Sequence, residues 1–65
     1  MNIIKYYREK KNMSQAQLES ASGVSRVTIS ELENNENYDV KISTMIAISD
    51  ALKEKVQDVF FYNES

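Results

Sequence analysis

The stretch Ser14–Asn35 reads SQAQLESASGVSRVTISELENN, and its punctuation decides the fold. Ser14 is a strong N-cap, because its hydroxyl can accept from the unpaired amides of a first helical turn. Gln17 follows three residues later, the spacing of a capping box. Leu18 and Ala21 are assigned to the buried face of the helix that follows. Gly23, the single glycine of the chain, stands just past the end of that helix, where a positive φ costs glycine little. Val24 plugs the turn. Ser25 then opens a second helix by the same capping logic, with Ile29 and Leu32 facing inward and Glu33 beside them. Two short helices joined this tightly cannot lie antiparallel. They cross steeply, and the second projects as a ridge.

A ridge of that width fits the major groove of duplex DNA. At about 100° per residue, with Ile29 at the centre of the buried side, Val27 and Glu31 fall almost opposite. Ser30 and Asn34 lie on one flank and Thr28 on the other. Arg26 sits nearer the buried edge, but it is at the leading end and long enough to reach outward. The outer face therefore runs Ser25, Arg26, Val27, Ser30 and Glu31, and these are the candidate base-contacting residues. A guanidinium can bond a guanine edge in bidentate fashion. Valine can touch a thymine methyl, and a carboxylate can accept from a cytosine amine. Each such contact discriminates by roughly 1–3 kcal/mol.

Outward from this unit the apolar spacing stays at three and four, and no segment alternates as a strand does. A first helix is expected from Ile3 to Lys11, with Ile4 and Tyr7 inward. Asn12 tolerates the left-handed conformation that ends helices. The run Asn34-Asn35-Glu36-Asn37-Tyr38-Asp39 reads as a loop. A fourth helix is expected from Lys41 to Lys53 with Ile42, Met45, Ile48 and Leu52 on one side, and a short fifth from Val56 to Phe60. The expectation is an all-α, compact five-helix domain spanning 1–65, with the helix-turn-helix at about 14–34.

Composition narrows the function. A chain of 65 residues has few apolar side chains to spare for a substrate pocket. Cysteine and histidine are absent, which removes disulfides, thiolate nucleophiles, the usual zinc sites and imidazole acid–base chemistry. Neither an enzyme, a cofactor nor a metal is expected. No apolar run approaches the length of a membrane span, and a cytoplasmic location is expected by default. The net charge is −2, but it is unevenly spread. Residues 1–30 carry five basic against two acidic groups, a balance of +3, while residues 31–65 carry three against eight, a balance of −5. Phosphate attraction needs local positive potential, not a positive total.

Read together, Ile4, Arg8, Lys11, Ser14, Gln15, Leu18, Gly23, Val24, Ser25, Ile29, Ser30, Glu33 and Asn34 fit the pattern I-x-x-L-R-x-x-K-G-L-S-Q-x-x-L-A-x-x-x-G-V-S-x-x-x-I-S-x-x-E-N-G. The chain thus resembles the Cro/CI-type (Xre-like) helix-turn-helix family of phage-repressor domains over about residues 3–60. The tail Gln57-Asp58-Val59-Phe60 is similar to that family's closing D-E-L-F. The resemblance implies a lambda-repressor-like fold. It also implies that Gln15 meets a phosphate, that Asn34 and its neighbour Asn35 do likewise, and that Ser25, Arg26, Val27 and Glu31 read bases. Arg8 and Glu33 match a pair that forms an internal ion pair.

Departures from the pattern are informative. Asn12 and Asn35 stand for glycines, with the left-handed conformation still open to them. Tyr7 replaces leucine. The loop after Asn34 lacks the usual basic residues and carries Glu36 and Asp39, which disfavours phosphate contact there. Ile46, Phe61 and Tyr62 exceed what one helical stripe can bury and are candidate dimer contacts. The expected function is sequence-specific transcriptional regulation, as a repressor homodimer on inverted-repeat double-stranded DNA. The acidic second half also suits an alternative, an antitoxin-like or adaptor module that binds protein.

Overall fold

A computed structural model describes residues 3–35 and 38–61. Among these residues five helices follow one another: α1 Ile4–Lys10, α2 Gln15–Ser22, α3 Arg26–Asn34, α4 Ile42–Leu52 and α5 Val56–Phe60. The architecture is all-α.

Each boundary has a chemical cause. Helix α1 ends where Asn12 takes φ +55°, which lets the Met13 amide donate back to the Arg8 carbonyl at 3.0 Å. Helix α2 opens with a complete capping box. Gln17 N–H donates to Ser14 Oγ at 3.0 Å, and Ser14 N–H donates to Gln17 Oε1 at 2.8 Å. It closes on Gly23 at φ +75°. Helix α3 opens with Thr28 N–H donating to Ser25 Oγ at 3.2 Å. Its C-cap Asn35 is extended, with φ −130°, so the left-handed conformation expected there is not used. Helix α4 instead ends on a left-handed Lys53, φ +58°, with Glu54 N–H returning to the Ser49 carbonyl at 3.0 Å.

All five helices contribute to one core: Ile4, Leu18, Ile29, Leu32, Ile48, Leu52, Val59 and Phe60 are buried. Tyr7, Met13, Val24, Val40, Met45, Ala51 and Val56 pack around them. Each fully buried aliphatic side chain contributes about 1.5–3 kcal/mol. Helix α2 packs on α3 and α4, α4 on α5, and α1 on both α3 and α5. The Ile3 amide donates to the Val59 carbonyl at 2.8 Å, which fastens the start of the chain to α5.

Two inward assignments fail. Ala21 is exposed, because the inner face of α2 runs from Leu18 toward Ser22, whose hydroxyl donates to the Leu18 carbonyl at 2.7 Å. Ile42 is 72% exposed. Steps of three residues drift by about 60° each around a helix, so Ile42 lies two drifts away from Ile48, at the first residue of α4.

Candidate nucleic-acid interface

The interface begins with what holds α3 in place. Glu33, on its inner side, is the centre of a polar cluster linking three elements. Arg8 of α1 donates through Nε to Glu33 Oε2 at 2.7 Å and through Nη2 to Oε1 at 3.0 Å. Its third donor, Nη1, reaches the Met13 carbonyl at 2.7 Å. Gln15, the first residue of α2, donates through Nε2 to Glu33 Oε1 at 3.1 Å. The carboxylate is nearly sealed, with side-chain exposure of 2%, against 11% for Arg8. The hydrogen bonds to Glu33 raise the Arg8 pKa despite the opposing effect of burial. Arg8 is therefore a permanent cation, and the fork is charge-assisted at both bonds.

The opposite side of α3 is open. Val27 is 73% exposed, and Ser25, Arg26, Glu31 and Asn34 are exposed with it. Ser30 is half-buried on the flank, as is Thr28 on the other side. Of the five candidate base-contacting residues, Ser25, Arg26, Val27 and Glu31 are thus exposed, and Ser30 lies half-buried on the flank. The Ser25 hydroxyl also donates to Thr28 Oγ1 at 3.0 Å. Asn34 turns its amide back onto its own helix, donating to the Ser30 carbonyl at 2.9 Å. Asn35 is exposed at the C-cap.

The N-terminus of α3 has a second acceptor that no local pattern announces. Arg26 N–H donates to Glu19 Oε2 at 2.9 Å, across the turn from α2. Nothing in the spacing predicts this contact, because it depends on how the two helices cross. The Gln15 bond to Glu33 escaped the sequence reading for the same reason.

Beside the leading end of α3 lies an open groove of about 230 Å³, lined by Thr28, Tyr38, Asp39, Val40, Lys41 and Thr44. Its two charges, Asp39 and Lys41, oppose each other. Away from α3, Ile46 is 47% and Phe61 65% exposed. Tyr62 and Glu36 lie outside the described residues. No helix among the described residues is long and apolar enough to cross a membrane.

Comparison with known proteins agrees with this geometry. Residues 4–59 match the Helix-turn-helix family. The chain is also 35% identical over 63 residues to an uncharacterised helix-turn-helix-type transcriptional regulator of Methanocaldococcus jannaschii, an alignment covering 97% of this chain and 94% of the relative. The chain belongs to the Cro/Xre-type helix-turn-helix family and is a DNA-binding transcriptional regulator, not an enzyme.

Proposed function

We propose that this protein is a cytoplasmic, sequence-specific repressor that binds an inverted-repeat operator as a homodimer. The observation that carries the reading is the outward ridge of α3, braced from behind by the Arg8–Glu33–Gln15 cluster. In this geometry α3 lies in the major groove with its leading end toward the bases. Arg26 bonds a guanine edge, Val27 meets a thymine methyl, and Glu31 accepts from a cytosine amine. Ser25 and Ser30 fill in between. Gln15, Asn34 and Asn35 approach phosphates, and for Gln15 and Asn34 this requires the side-chain amide to leave or share its internal partner. Ile46, Phe61 and Tyr62 join two copies, so that two α3 ridges enter successive major grooves about 34 Å apart.

The test is selection of the purified protein against random duplex DNA, followed by sequencing of the bound pool. An enriched inverted repeat supports the reading. Arg26→Ala should then weaken binding by about 5- to 150-fold without unfolding the protein. The acidic second half of the chain favours one competing reading, a module that binds protein. Folded protein that enriches no sequence, and whose weak DNA binding hardly changes with salt, decides for that competitor.

A further inference from the structure

We infer that Glu19 is a positioning residue for DNA reading: it holds the backbone at Arg26 and so fixes the point from which that side chain reaches the bases. The inference rests on the proposed base-reading role of Arg26.

Three observations support it. Glu19 Oε2 accepts from the Arg26 amide at 2.9 Å, and the two residues are on different helices, seven positions apart. Glu19 is half-buried, and its own backbone carbonyl accepts the closing Gly23 amide at 2.9 Å. The carboxylate therefore projects from a well-anchored turn of α2. The usual side-chain cap is also present, since Ser25 Oγ accepts from Thr28 N–H at 3.2 Å. The helix already has a conventional cap, so Glu19 adds a second tether at the residue that bears the reading guanidinium.

The end of α3 that Glu19 holds is the end a recognition helix turns toward base edges. A bidentate contact to guanine tolerates little displacement of its origin, because both donors must meet their acceptors together. Without the tether, the first turn of α3 is held by Ser25 alone, and Arg26 samples a wider arc. A general stabilising cap loses stability when removed. A positioning residue loses base discrimination as well, even in protein that remains folded.

The experiment compares wild type with Glu19→Ala, Glu19→Gln and Arg26→Ala, each confirmed folded by circular dichroism. Each is selected against a duplex pool randomised over about 30 base pairs, enough for two half-sites one helical turn apart. Arg26→Ala identifies the base pair that Arg26 reads. At that pair Glu19→Ala should lower discrimination by at least about fivefold. Glu19→Gln, which keeps an acceptor oxygen, should retain it. Glu19→Ala with wild-type discrimination overturns the inference, as does a glutamine variant as indiscriminate as alanine. If Arg26→Ala itself changes no base preference, the base-reading assignment fails and the Glu19 role falls with it. If Arg26→Ala abolishes a preference that Glu19→Ala keeps, only the Glu19 role fails. A further measurement needs no variant. In the wild-type protein the Arg26 amide should exchange with solvent more slowly than the neighbouring Val27 amide, and equal exchange overturns the contact itself.

Discussion

Glu33→Ala should remove between about a third and all of this protein's stability, and the magnitude can be worked from the contacts. The substitution removes the acceptor of both Arg8 bonds, at 2.7 and 3.0 Å, and of the Gln15 bond at 3.1 Å. Arg8, with side-chain exposure of 11%, then keeps the Met13 carbonyl as its one hydrogen-bond acceptor among the described residues. Breaking such a pair from one side costs about 3–5 kcal/mol, because it strands a buried charge. A chain of 65 residues has about 3–10 kcal/mol of total stability. The loss is thus a large share of what is available. Urea unfolding followed by far-ultraviolet circular dichroism measures it. Replacing both partners, as in Arg8→Met with Glu33→Met, should cost much less than the two single changes together, since no charge is left stranded. DNA binding lost in Glu33→Ala should return when an excluded osmolyte refolds the protein. A Glu33→Ala variant within about 1 kcal/mol of wild type would mean that the pair behaves like an exposed one, and the reasoning from burial would be wrong. The raised Arg8 pKa gives the sign of its pH effect. The stability it contributes is fully present below the ordinary guanidinium value and is lost only as pH rises through the still higher folded value.

Smaller changes test single features. Gly23→Ala should destabilise by about 1–2 kcal/mol from the left-handed backbone alone; a Cβ at φ +75° meets nothing within 4 Å, so a larger loss would contradict the open space around it. Lys53→Gly should raise stability by about 0.5–1 kcal/mol, because Lys53 holds φ +58° with a side chain that disfavours it, and a lowered melting temperature would argue against that strain. Ser49→Ala should stabilise by about 1 kcal/mol, since its buried hydroxyl has no hydrogen-bond partner among the described residues. Urea midpoints at constant slope decide the last two.

What could be read in advance follows the range of the interactions involved. Ser14, Gln17, Gly23 and Ser25 specify helix ends through atoms three or four residues away, so their neighbours in sequence are their partners in space. The core was legible where a stripe repeats, as at Ile48 and Leu52. It failed at Ala21 and Ile42, where a stripe drifts around the helix and only the neighbouring helices decide which flank is covered. Lys53 gave no sign of its left-handed backbone, because lysine does not favour that conformation. On α3, the wheel placed Val27 and Glu31 outward from one reference residue, and both are exposed. Contacts between helices, such as Glu19 to Arg26, depend on a crossing angle that no local pattern encodes.

The charge balance of the first thirty residues overstates the field presented to DNA. Of the five cations, Arg8 is committed to Glu33 within the fold. Lys11 lies 3.3 Å from Glu54 of the acidic half. Lys10 rests over the Tyr6 ring, 5.7 Å from its centroid, an arrangement that keeps its charge exposed but restrains it. Lys5 and Arg26 complete the set, and Arg26 is the residue assigned to bases. Within the first thirty residues, few cations therefore remain to supply the sequence-independent phosphate attraction that dominates non-specific binding. Under the proposed reading, affinity comes instead from base contacts and from the pairing of two copies. A protein built this way gains little from DNA of arbitrary sequence. Its selectivity then depends on how accurately α3 is held, at its leading turn by Ser25 and Glu19 and near its far end by Glu33.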